Sequence, residues 1–233
     1  MKKLFLIANW KSNKTINETE GWLHAFYDGL KQEKFILKDK EIIVCPSFTL
    51  FEHARYCSKN LDLPIKFGAQ NISQFGEGAY TGEISGRQIK EVASYVIVGH
   101  SERRKYFGET DGLISKKLEM AGKHGLTPIL CVSAVDQAQS AKRKAQNYSA
   151  KFKTIIAYEP LFAIGSGQAD TPDNAEKTAL QIKETMEDTP VLYGGSVTSE
   201  NVNSFTKMPN IDGVLVGGAS LDALEFLGII KNA

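Results

Sequence analysis

Glu159 stands where a carboxylate could do acid–base work. It lies in Ala157-Tyr158-Glu159-Pro160-Leu161-Phe162-Ala163-Ile164-Gly165-Ser166-Gly167, after an apolar, strand-like run that begins at Thr154. A carboxylate at the C-terminal end of a strand, followed by a loop able to move, suits a buried general base beneath a lid. The proline that follows opposes helix at Glu159, which argues against an ordinary helix-face ion pair. Three other segments carry polar groups in similar settings. They are Asn9-Trp10-Lys11 after the first strand-like run, Gly99-His100-Ser101-Glu102-Arg103-Arg104 after the fourth, and Tyr193-Gly194-Gly195-Ser196 after the seventh.

Those segments need a scaffold that brings strand ends together. Eight short apolar runs can hold them, at 4–8, 41–45, 65–69, 95–98, 127–131, 154–157, 190–193 and 213–216. Several are continuous Ile/Val-rich runs, as expected of strands buried on both faces. Helical patterns lie between and after them, at 15–30, 49–59, 86–93, 111–124, 135–151, 172–188, 199–207 and 221–231. Thr171-Pro172 reads as an N-cap followed by proline at the first helical position. Gly125 follows a lysine-rich helix end and suits the left-handed position just beyond it.

Eight βα units in 233 residues predict an α/β fold, a closed (β/α)8 barrel close to the usual size of about 250 residues. An open doubly wound sheet is the alternative, but no G-x-G-x-x-G turn follows the first strand. No linker or low-complexity stretch divides the chain, so residues 1–233 read as a single domain. In such a barrel the chemistry sits where strands end and βα loops begin, and all four polar segments fall there.

Bulk properties narrow the partners. Lys+Arg is 28 and Asp+Glu is 27, a formal net charge of +1. That balance gives no reason to expect nucleic acid or an anionic membrane as partner. No stretch approaches the ~18 apolar residues of a membrane span, and the apolar run after Lys2-Lys3 is too short for a signal peptide. Cys45, Cys57 and Cys131 are an odd count without metal-type spacing, which predicts reduced thiols in a cytoplasmic protein. An anionic small substrate stays open, because backbone amides bind phosphate without many lysines.

The motifs together resemble the triosephosphate isomerase family over essentially the whole chain. The matching pieces are A-N-W-K (8–11), G-A-Q-N-I-S-Q-F-G-E-G-A-Y-T-G-E-I-S (68–85), V-G-H-S-E-R-R (98–104), A-Y-E-P-L-F-A-I-G-S-G (157–167), Y-G-G-S-V (193–197) and V-G-G-A-S-L (216–221). The resemblance implies the TIM-barrel architecture and interconversion of dihydroxyacetone phosphate and D-glyceraldehyde 3-phosphate through an enediolate. It implies Glu159 as the base, and His100 as a neutral imidazole polarising the substrate oxygens, as is established for this family. Lys11 would supply positive charge, and Asn9 would orient it and bind the same oxygen. Glu102 resembles a further family carboxylate near Lys11, with a structural ion pair as the competing reading.

The phosphate would be held by Asn9, Lys11 and backbone N–H groups at Gly165, Ser196, Gly217 and Gly218, the last two at the start of the final helix. The lid would comprise Pro160, Leu161, Phe162, Ala163, Ile164, Gly165, Ser166, Gly167, Gln168 and Ala169. Asp170, Thr171 and Pro172 would form its far hinge, and Tyr193 and Ser196 would bond the closed lid. The loop 70–86, with Thr81 near its tip, resembles a dimer-forming loop and implies a homodimer. No metal and no cofactor is expected, and His24, His53 and His124 read as structural.

Two positions depart from the family pattern. Phe162 replaces the usual lid tryptophan, and Cys131-Val132-Ser133-Ala134 stands where the family usually reads Cys-x-Gly-Glu. Losing both members of a hydrogen-bonded pair is nearly neutral, whereas losing one strands the other. The stretch 135–153 is also shortened. A sugar-phosphate epimerase would call for metal-binding histidines and carboxylates at strand ends, which do not occur. A non-catalytic descendant would be expected to have lost Lys11, His100 or Glu159, and all three are present.

Overall fold

The strands alternate their side chains between two hydrophobic environments, and that alternation determines what reaches the mouth of the barrel. The computed structural model describes residues 2–32, 37–145, 153–186 and 189–233. Its strands are β1 (Leu4–Asn9), β2 (Lys40–Cys45), β3 (Ile65–Ala69), β4 (Tyr95–Val98), β5 (Thr127–Val132), β6 (Ile155–Tyr158), β7 (Val191–Tyr193) and β8 (Gly213–Val216). Each pairs in parallel with the next, and β8 returns to β1 with Val216 opposite Ala8, so the barrel closes.

The helices are α1 (Ile16–Gln32), α2 (Phe51–Asn60), α3 (Gly86–Val92), α4 (Ser101–Phe107), α5 (Asp111–Lys123), α6 (Val135–Ala145), α7 (Pro172–Thr185), α8 (Val202–Thr206) and α9 (Ala223–Asn232). All eight expected strands are present with small changes at their ends. The helical patterns at 135–151 and 172–188 run past α6 and α7 into residues outside the described set. Thr171 caps α7 by accepting from Asn174 N–H, and Pro172 is its first residue. Gly125 takes φ 65° just beyond α5.

Leu6, Ala8, Ile42, Val44, Val96, Val98 and Ile156 face outward and pack under the helices. Ile7, Ile43, Cys45, Tyr95, Ile97, Ile129, Cys131, Ile155, Ala157, Leu192 and Leu215 fill the barrel interior. Side chains two apart share a face of a strand. Continuing the inner rows by one step therefore reaches Asn9 after Ile7, Glu159 after Ala157, Gly194 after Leu192 and Gly217 after Leu215. The same alternation that fills the interior delivers the polar residues to the C-terminal mouth.

Two local features differ from expectation. Helix α4 lies inside what reads as a plain loop after β4. None of its residues is buried, so it has no apolar stripe to announce it. Its ends are fixed instead by His100 as N-cap and by Gly108 at φ 66°. Gly217 and Gly218 do not open the final α-helix. Gly218–Leu221 forms a 3-10 turn, and Ser220 donates to Gly217 C=O from both N–H (2.9 Å) and Oγ (2.6 Å). Asp222 then caps α9 by accepting from Leu224 and Glu225 N–H. The three cysteines are free and buried. Among the described residues no helix is long and apolar enough to cross a membrane.

Candidate active site

A cavity of about 290 Å³ opens at the C-terminal mouth, lined by Asn9, Lys11, His100, Glu159, Gly165, Ser196, Gly217 and Gly218 among others. All the residues expected to act on or bind substrate, apart from Glu102, thus share one cavity. Asn9 ends β1 and is buried. Its Oδ1 accepts from Lys11 N–H at 3.2 Å. Lys11 itself adopts φ 53°, an unusual conformation for a residue with a Cβ. Gln70 helps to hold it, because its Nε2 donates to Lys11 C=O (2.8 Å) and to Cys45 C=O (2.9 Å). Such strain persists where the surroundings over-determine it, often at functional sites.

Lys11 Nζ lies 2.5 Å from Glu102 Oε1. Glu102 does not line the cavity; it reaches the site through Lys11. Glu102 thus forms an ion pair, with the candidate catalytic lysine as its partner.

His100 follows Gly99 after β4 and caps α4. Its Nδ1 accepts from Glu102 N–H at 3.2 Å. A backbone N–H can only donate, so Nδ1 presents a lone pair and a neutral ring carries its proton on Nε2. That Nε2 lies 3.3 Å from Glu159 Oε1. The other carboxylate oxygen of Glu159 accepts from Ser101 N–H at 3.3 Å, on the first turn of α4. Glu159 is 4% exposed, and its own N–H donates to Val132 C=O. Burial, then the Glu159 charge and a hydrogen bond with it, hold the Cys131 thiol well above its ordinary pKa. The thiol stays neutral beside the carboxylate and does not compete with it as an anion.

Glycine fixes two approaches here. A Cβ on Gly194 would lie 2.9 Å from Glu159 Cγ, and one on Gly217 would lie 3.3 Å from Lys11 Cε. The loop residues after β7 and β8 therefore come close to the candidate base and lysine because they lack side chains.

The segment expected to form the lid is anchored at both ends. Leu161–Ala163 forms a 3-10 turn whose Ala163 is buried. Ser196 Oγ donates to Ala163 C=O at 2.9 Å. At the far end the Tyr193 hydroxyl accepts from Asp170 N–H at 2.7 Å. Burial is the main cause that pushes the Tyr193 hydroxyl up to about 12. Asp170 also accepts from Asn174 Nδ2 (2.7 Å) and Thr171 N–H (2.8 Å). Between these anchors Gly165 and Gly167 have φ 66° and 76°, and just before the first anchor Leu161 and Phe162 stand well exposed. Ala134 is exposed too. Gln137 Oε1 accepts from Ser133 N–H at the start of α6.

Gln70, Ser101 and Cys131 were not among the site residues read from the sequence. Their contributions come from a backbone-directed amide, a main-chain N–H and a buried thiol, none of which has a motif of its own. Loop 70–86 is closed at its neck by Ser73 N–H donating to Ile84 C=O, and residues 75–83 are exposed. Phe75 and Tyr80 stack there with centroids 4.1 Å apart. Potential metal ligands gather elsewhere: among the described residues, Glu20, His53 and Cys57 form one such group on α1 and α2. Spacing along the chain did not flag it, because Glu20 comes from another helix.

Fold and site define a (β/α)8 barrel of enzyme type, with a buried carboxylate, an imidazole and a lysine converging beside a glycine-containing loop. Comparison with known proteins makes the class specific. The family model described as Triosephosphate isomerase matches residues 4–233. Proteins named triosephosphate isomerase from Mesomycoplasma hyopneumoniae (strain 7448), Endomicrobium trichonymphae and Dictyoglomus turgidum are 41%, 39% and 38% identical to this chain. Each alignment covers at least 99% of both chains. The chain belongs to the triosephosphate isomerase family, whose members are aldose–ketose isomerases.

Proposed function

We propose that this protein interconverts dihydroxyacetone phosphate and D-glyceraldehyde 3-phosphate, with Glu159 as the carbon base. The observation that carries the reading is the convergence of Glu159, His100, Lys11 and Asn9 on one cavity beneath a glycine-hinged lid. Glu159 removes a proton from the carbon beside the carbonyl. The C–H electrons form the carbon–carbon double bond, and the carbonyl π pair becomes an enediolate oxyanion. His100 Nε2–H, Lys11 Nζ and Asn9 hydrogen-bond the oxygens where that charge develops. The protonated Glu159 returns its proton to the neighbouring carbon, while a hydroxyl proton passes between the two oxygens. Both electron pairs stay within the substrate, so the reaction calls for no redox cofactor.

Backbone N–H groups at Gly165, Ser196, Gly217 and Gly218 grip the phosphate. The opening of the 3-10 turn at Gly218 supports this, since the first N–H groups of such a turn lack partners within it. Lid closure excludes water from the enediolate.

The test is turnover of D-glyceraldehyde 3-phosphate by the purified chain in deuterated water. The expected result is isomerisation with deuterium incorporated at carbon. A folded protein that binds inorganic phosphate but neither isomerises nor exchanges would contradict the reading.

The protein acts as a homodimer formed through loop 70–86, with Thr81 near the tip. The run of exposed residues at 75–83 carrying the stacked Phe75–Tyr80 pair supports this. Light scattering on active enzyme checks it, and a fully active monomer would separate assembly from activity.

A further inference from the structure

We propose that Glu20, His53 and Cys57 form a zinc-binding site between α1 and α2, in the outer helix layer. Their ligand atoms lie within 4.8 Å of one another. His53 and Cys57 are four apart on α2, so both project from the same face of one helix. Glu20 comes from α1, the neighbouring helix.

Two of the three separations match those of a tetrahedral ion, and the third, from Cys57 to Glu20, is within 4.8 Å. Zinc bound at about 2.3 Å to sulfur and about 2.0–2.1 Å to nitrogen and oxygen holds sulfur and nitrogen about 3.5 Å apart, and nitrogen and oxygen about 3.3 Å apart. Here Cys57 Sγ lies 3.5 Å from His53 Nε2, and Glu20 Oε2 lies 3.3 Å from that same nitrogen.

Hydrogen bonding alone serves this arrangement poorly. Both neighbours meet Nε2, not opposite sides of the ring. With a proton, Nε2 can donate to the carboxylate; with a lone pair, it can accept from the thiol; it cannot do both. The shared nitrogen also rules out a nucleophile–base–carboxylate relay, which needs both ring nitrogens. A cation in place of the proton satisfies all three groups.

The donor set selects the metal. Thiolate and imidazole favour zinc over magnesium or calcium. A thiolate and a carboxylate together balance a divalent charge, leaving a fourth position for water. Cys57 is buried while Glu20 is exposed, so the ion has a route in from solvent.

The test uses the full chain stripped by chelator. Zinc affinity is measured by competition with a chromophoric chelator, and cobalt is added as a spectroscopic stand-in. The expected result is one zinc per chain at micromolar affinity or better, a thiolate-to-cobalt charge-transfer band, and a rise in Tm with zinc but not magnesium. Cys57→Ser should abolish the band. His53→Gln and Glu20→Gln should weaken zinc binding tenfold or more. Glu20 is exposed, so Glu20→Gln leaves the fold intact and decides the matter if Cys57→Ser fails to fold. Absence of stoichiometric zinc binding, a cobalt band that survives Cys57→Ser, or affinity unchanged in both His53→Gln and Glu20→Gln would overturn the site.

Discussion

Glu159 Oε1 lies 3.3 Å from His100 Nε2, so the buried carboxylate and the imidazole face each other at the mouth of the barrel. The proton on Nε2 follows from the other side of the ring, where Nδ1 accepts from Glu102 N–H. The two groups proposed as base and electrophile thus stand next to each other. Ser101 N–H holds the second oxygen of Glu159 at the start of α4. On the proposed mechanism, substrate binding turns Nε2–H to the substrate oxygen and the carboxylate to the carbon. Closure of the lid that begins at Pro160 can move Glu159, because the two are adjacent in sequence.

Lys11 and Glu102 should be unequal partners. Lys11→Ala removes the cation nearest the expected oxyanion and phosphate. We expect kcat/KM to fall by at least ~10³-fold, with inorganic phosphate inhibiting more weakly. Glu102→Gln leaves the lysine in place and removes one half-exposed charge. Its loss should be smaller, within about tenfold, as expected for an exposed pair. Steady-state kinetics on both variants separate the roles. Equal losses would place Glu102 in direct contact with substrate.

Tyr193→Phe tests the far anchor of the lid. The hydroxyl accepts from Asp170 N–H at 2.7 Å in a buried setting, while its ring stacks on Phe205. Removing only the oxygen leaves the N–H without its acceptor and costs about 1–3 kcal/mol. Urea unfolding should show that loss, and kcat/KM should fall because the hinge is loosened. Unchanged stability would mean that water replaces the hydroxyl freely.

Glu41 makes stability depend on acid. Burial raises its carboxyl, but hydrogen bonds from Lys3, Lys66 and Tyr95 outweigh burial and lower it from 4.5 to about 2. A carboxyl depressed in the folded state gives stability that is full above 4.5 and is lost as pH falls toward 2. The lysines are half-exposed and screened, so the contribution is roughly 1–2 kcal/mol, less than the full shift would give. Glu41→Gln should lower the urea midpoint at pH 7 and flatten its decline between pH 4.5 and 2. A parallel decline in both proteins would assign the acid sensitivity to other groups.

Phe162 and Ala134, the two departures from the family pattern, both face solvent. Phe162→Trp alone restores an indole N–H without a glutamate to receive it. Turnover should change by less than about tenfold, or 1.4 kcal/mol of barrier. A large gain from this one substitution would show that the phenylalanine had cost catalysis.

The strands and the strand-end residues were legible because burial imposes a pattern on them. The Ile and Val runs fix the barrel, and two-residue alternation carries Asn9 and Glu159 to its mouth. The expectation of a lid rests on Pro160 and the glycines after it, and the helix start beyond it was legible from Thr171-Pro172. What escaped depends on contacts between distant segments or on backbone geometry. Helix α4 has no buried residue, so its period leaves no trace. The left-handed Lys11 and its support by Gln70 join loops after β1 and β3, and no local pattern reports them. The 3-10 turn at Gly218 depends on Ser220 folding back on Gly217 C=O, where the sequence reads simply as the start of a helix. Glu20, His53 and Cys57 meet only because α1 packs on α2.

The most direct measurement compares the native chain with Glu159→Gln in the isomerase assay. The substitution keeps the shape of the side chain and removes its basicity. The account predicts rapid turnover in the native protein and a loss in kcat of at least ~10²–10⁴-fold in a variant that still folds and binds phosphate. Turnover preserved in Glu159→Gln would contradict the assignment of the base.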